Sequence, residues 1–71
     1  MIADIRSQLA RTPFLPFAIR TSDGNEYPVP SLDHILISPR GGRIIVTNDE
    51  DTVAVLPTLH ISAIVHQVAN D

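Results

Sequence analysis

At 71 residues the chain makes one domain at most, so a catalytic unit joined to a regulatory one is excluded. It has no Cys and no Lys, which excludes disulfides, thiolate metal sites, Cys nucleophiles and Schiff-base chemistry. Five Arg against eight acidic residues leave a net charge of −3, a poor balance for a polyanion partner.

Residues 2–11 read as a helix. Ile2, Ile5 and Leu9 recur at helical spacing and share one face. Pro13 forbids continuation and biases Thr12 out of the helical region. Pro13-Phe14-Leu15-Pro16-Phe17 reads as a stiff connector that drops both Phe rings into the core. Phe17, Ile19 and Thr21 then alternate with Ala18 and Arg20, the period of a strand. Asp23-Gly24 is a hairpin signal, and a return strand runs from Glu26 to Val29. Pro28 and Pro30 lack an N–H, which sends that strand to an edge or bends it there.

Ser31-Leu32-Asp33 reads as a short turn. Ile35-Leu36-Ile37 is a third strand, or the second continued past a kink. Pro39-Arg40-Gly41-Gly42 makes another hairpin turn, where Gly supplies positive φ, before a strand over 43–47. Asn48-Asp49-Glu50-Asp51 turns into a strand over 52–56. Pro57-Thr58-Leu59-His60 interrupts as one 3₁₀ turn, and a last strand runs over 61–68 before a frayed end. One helix and five or six short strands with tight turns describe a mainly β, α+β domain over residues 1–71. The expected architecture is an N-terminal helix followed by a small antiparallel barrel, SH3-like or Sm-like, with its strands within 17–68.

No apolar run reaches the length of a membrane span, and Asp4 stands where a signal peptide would carry basic charge. The expectation is a cytoplasmic protein with no membrane partner. Several strands are apolar on both parities: Ile35-Leu36-Ile37, Ile44-Ile45-Val46 and Val53-Ala54-Val55-Leu56. A half-solvated antiparallel strand alternates instead, and one short helix cannot cover the surplus. Homo-oligomerisation is therefore expected, through an interface of Leu36, Ile45 and Leu56. The expected core is Ile5, Leu9, Phe14, Phe17, Ile19, Val29, Ile35, Ile37, Ile44, Val46, Val53, Val55, Leu59 and Ile64.

Residues with chemical potential are few. His34, His60 and His66 lack the close pairing of a zinc set, so no metal is expected. Asn48, Asp49, Glu50 and Asp51 lack the pattern of a calcium loop and read as an acidic turn, a surface for a basic partner or for nucleic-acid mimicry. Ser31, Asp33 and His34 have the residue types of a hydrolytic triad, but triad members come from separate segments. No catalytic residues and no cofactor are expected. Arg40-Gly41-Gly42-Arg43 is the one cluster of basic residues with glycine. Its N–H groups and two guanidiniums make it the first place for nucleic-acid contact. Tyr27 is a candidate stacking ring, with burial the plainer reading.

The Pro13–Phe17 connector, the Asp23-Gly24 hairpin and the strand Arg43-Ile44-Ile45-Val46 resemble a group of short bacterial proteins of no assigned activity. The helix, Asp23-Gly24 and the segment from Pro57 to Ile64 are also similar to the Sm-like barrels, which form rings and bind RNA. That likeness implies a fold only. Leu36 and Ile37 stand where the family's base-gripping Asn would be, and Leu56-Pro57 replaces its Arg-Gly. The sequence thus leads to a non-enzymatic small β-barrel for interaction or scaffolding that self-associates. The alternatives are a nucleic-acid module using Arg40 and Arg43, or an acidic decoy using Asp49, Glu50 and Asp51.

Overall fold

Local turn chemistry sets most of the architecture. A computed structural model describes residues 1–66. The helix α1 (Ile2–Leu9) buries Ile5, with Ile2 and Leu9 packed beside it. It ends two residues short of the expected 11. The Ala10 N–H still reaches the Arg6 carbonyl, but the Arg11 N–H turns to the Gln8 carbonyl at 3.4 Å, a tightened last turn ahead of Pro13.

Six strands follow: β1 (Phe17–Thr21), β2 (Glu26–Val29), β3 (Ile35–Ile37), β4 (Arg43–Thr47), β5 (Val53–Pro57) and β6 (Ile61–Val65). The three hairpins lie at the expected turns. Gly24 (φ +89°) and Gly41 (φ +75°) adopt the left-handed conformation that tight turns require. Asp51 adopts it without being glycine. Residues 58–60 form the expected 3₁₀ turn, and Leu32–His34 form another, with Ser31 capping the Asp33 N–H.

The barrel expectation is corrected. The strands form two open three-stranded antiparallel sheets, ordered β2-β1-β6 and β3-β4-β5. The chain changes sheet at both 3₁₀ turns. Ahead of the first stand Pro28 and Pro30, which cannot donate to a ladder, and β2 ends on the edge of its sheet. β3 has three residues, each paired to β4 (Ile35↔Val46, Leu36↔Ile45, Ile37↔Ile44). It is a separate strand and not a continuation of β2. The second 3₁₀ turn carries the chain to β6, which pairs with β1 on the side opposite β2.

Between the sheets lies one core: Ile5, Phe17, Ile19, Val29, Ile44, Val46, Leu56 and Ile61. Leu9, Phe14, Ile35, Ile37 and Ile64 pack against it. Three expected core residues are outside it. Val53 is 58% exposed, Val55 57% and Leu59 96%, while Leu56 is buried at 6%. The cause is register. Ile44 faces inward and pairs with Leu56, so Ile45 and its partner Val55 face outward. A strand inverts every side chain with a one-residue change of register. Leu59 sits in the 3₁₀ turn, and Ile61 takes the buried place beyond it. The expected end of the last strand at 68, and the frayed tail, fall on residues 67–71, outside the described residues.

The β3–β4 turn is the junction of the fold. A Cβ added to Gly41 would meet the Ile2 side chain at 3.3 Å, so α1 rests directly on this turn. The Thr58 hydroxyl donates to the Gly41 carbonyl at 2.5 Å, and its N–H to the Gly42 carbonyl at 3.1 Å. Helix, hairpin and second 3₁₀ turn are thereby held at one point.

Candidate interaction face

The sheet β3-β4-β5 has one face in the core and one open. Antiparallel pairing puts facing residues on the same side of a sheet. Leu36, Ile45 and Val55 are in register across the three strands and form an outward apolar row. Leu36 is 61% exposed, and Ile45 in the centre is half-buried between its neighbours. Val53, paired with Thr47, extends the row toward one end of β4. At the other end Arg43 pairs with Pro57. Of the three expected interface residues, Leu36 and Ile45 lie on this face. Leu56 does not, because its register partner Ile44 points into the core, and Val55 holds the outward place instead. Val53 and Val55, expected in the core, belong to this face instead; all of 53–56 is apolar, so only the pairing to β4 decides their parity.

The two ends of the face carry opposite charge. Arg40 and Arg43 are exposed at the β3–β4 turn. Their segment is not an open anion nest. The Gly41 N–H donates to the Ser38 carbonyl at 2.8 Å and the Arg43 N–H to the Ser38 hydroxyl at 2.9 Å. Asp49, Glu50 and Asp51 are exposed at the β4–β5 turn. There the Asn48 side-chain oxygen accepts the N–H groups of Glu50 and Thr52 at 2.9 and 3.0 Å, which holds the acids outward.

One hydrogen-bonded chain joins Ser31, His34 and Asp49. The Ser31 hydroxyl lies 2.7 Å from His34 Nδ1, and His34 Nε2 lies 2.7 Å from an Asp49 carboxylate oxygen. Donation from Nε2 to Asp49 leaves Nδ1 to accept the Ser31 proton. The acid is Asp49, across the fold, and not the neighbouring Asp33. Acyl transfer asks in addition for oxyanion donors and a substrate cleft. Here the Ser31 oxygen is already an acceptor for the Asp33 N–H, and Ser31 lines neither the cavity along Leu15 and Pro28 nor the one at Tyr27 and His60. Its geometry is that of a clasp between the first 3₁₀ turn and the β4–β5 turn.

The remaining histidines stand apart. His60 is exposed, and its carbonyl accepts the Ser22 N–H at 2.8 Å. The His66 ring lies 6.2 Å from Phe17, centroid to centroid. Among the described residues no three His, Asp or Glu side chains converge as metal ligands. Tyr27 is half-buried against the core. The pKa of Asp23 is displaced downward. The Thr21 hydroxyl, then the Asn25 backbone N–H, donate to its carboxylate and hold it below the usual Asp range.

An open cavity of about 580 Å³ is lined by Leu15, Pro16 and Pro28, together with Arg11 and Glu26. A second, of about 430 Å³, lies between Tyr27, Val55 and His60. No helix among the described residues is long and apolar enough to cross a membrane. Comparison with family models, with curated proteins and with solved structures finds no match.

Proposed function

We propose that the protein is a non-enzymatic interaction or scaffolding module that self-associates through the outer face of β3-β4-β5. The observation that carries this reading is the outward, in-register apolar row Leu36–Ile45–Val55, with Leu36 and Val55 exposed, on a sheet with two open edges. Contiguous apolar surface of this kind marks contact sites on soluble domains. The stability of so short a chain argues the same way, since a small core leaves little margin and association is one of the few remedies open to a protein without Cys.

Light scattering behind size exclusion tests the proposal. The native chain at high micromolar concentration is expected to exceed the 7.8 kDa of one copy. Leu36→Thr, Ile45→Thr and Val55→Thr, which keep strand-compatible shapes, are expected to return it to one copy. A native mass of one copy at every concentration overturns the reading.

A further inference from the structure

Resting on that reading, we infer that the partner is a second copy stacked face to face with its β4 antiparallel, about a two-fold axis that crosses the strands at Ile45. The face has a polarity that selects this arrangement. β4 begins at Arg43 and ends at Thr47, so Ile45 is its midpoint. Arg40 and Arg43 lie at or before its start; Asp49, Glu50 and Asp51 follow its end. The two charged ends are therefore displaced in opposite directions from the apolar row.

Two orientations bring Ile45 against the partner's Ile45. If the axis runs along β4, the copies stack in parallel and each Arg pair meets the partner's Arg pair, acids meeting acids. If it runs across β4, the strand reverses and each Arg pair meets the partner's acidic turn. Like charges brought together destabilise a contact, and unlike charges fix its register. The second arrangement also keeps the apolar row in contact, Leu36 on the partner's Leu36 and Val55 on the partner's Val55. It closes on itself as an isologous dimer and leaves no repeating surface.

Size makes the charged ends part of the contact. A stable interface removes about 800 Å² per partner, close to a sixth of the chain's 4997 Å². Three strands spaced about 4.8 Å apart give a face only about 14 Å wide. The contact must therefore run the length of β4 and take in both turns. Stacked sheets lie about 10 Å apart, within reach of Arg side chains from either end.

Complementary charge reversal tests the orientation. Variant one carries Arg40→Glu and Arg43→Glu, and variant two carries Asp49→Arg and Glu50→Arg. Each alone is expected to self-associate at least tenfold more weakly than the native chain in sedimentation velocity at low salt. Their equimolar mixture is expected to return to within about threefold of native affinity. Because Asp49→Arg also opens the contact to His34, Glu50→Arg alone paired with Arg43→Glu repeats the test with the clasp intact. If the native chain and both variants associate equally, or the mixture is no tighter than the variants alone, the antiparallel arrangement is overturned while the apolar face stands. If the native chain is a monomer throughout, the face itself falls and this inference with it.

Discussion

Adjacent residues Leu56 and Val55 should differ sharply in what their loss does to stability. Leu56 is 6% exposed and packs with Ile44 between the sheets, whereas Val55 is 57% exposed on the outer face. Leu56→Ala removes buried methyl groups and leaves a cavity, a change that costs about 2.7–5 kcal/mol in a closed core. A domain of 71 residues has about 4–11 kcal/mol of stability in all. The substitution therefore takes away a large part of the total. Val55→Thr keeps the β-branch and removes surface that is mostly solvated, for a change of about 0.5 kcal/mol. Urea unfolding followed by far-ultraviolet circular dichroism, at low micromolar concentration so that association does not enter, reads both. With a slope of about 1 kcal/mol per M, the Leu56→Ala midpoint falls by about 3 M and the Val55→Thr midpoint barely moves. Equal losses at the two sites, or a larger loss at Val55, would refute the register that places Leu56 inside.

The glycines give a second contrast. Gly41→Ala meets both a left-handed backbone and the Ile2 side chain at 3.3 Å, while Gly24→Ala meets the backbone penalty alone. Gly24→Ala should cost about 1–2 kcal/mol and Gly41→Ala more, by thermal unfolding. The clasp is worth little in free energy, since the Asp49 side chain is 91% exposed. Asp49→Asn should cost less than about 1 kcal/mol while speeding amide exchange at residues 32–34. Asp23 has its pKa lowered on folding, so its contribution to stability is full above the unfolded value of 3.8 and fades as pH falls through the lower folded value. A carboxyl NMR titration should place its midpoint below 3.8, and Thr21→Val should raise it.

The hairpins were legible because each turn carries its own chemistry: Asp23-Gly24, the Gly41 pair and the Asn48 turn act within a few residues. The 3₁₀ turn at 58–60 was readable from Pro57 in the same way. The inward face of β1 showed in its alternation, and Phe17 and Ile19 are buried as expected. In β5 the pattern was silent, because Val53, Ala54, Val55 and Leu56 are apolar on either parity and only pairing to β4 decides which face is which. Sheet membership was hidden for a related reason. A turn says that a chain reverses, and not whether the next strand returns to the same sheet, so two open sheets read as one barrel. The His34–Asp49 contact spans fifteen residues and depends on how two turns meet, which no local pattern encodes.

The change of sheet at both 3₁₀ turns implies an order of assembly. Strands β3, β4 and β5 are consecutive, and Ile45 finds Val55 ten residues away. Ile19 must find Ile64 forty-five residues away before the β1–β6 ladder exists. Closing the longer loop costs about 1.3 kcal/mol more in chain entropy, a penalty met before any reward from that pairing. The meander should form first and β6 should dock last, so that pulse-labelled exchange during refolding protects β4 amides ahead of those in β6. The apolar row is then on display while the core is still incomplete, and encounters between copies compete with the final docking step. Refolding yield should therefore fall as protein concentration rises, and Ile45→Thr should relieve that dependence.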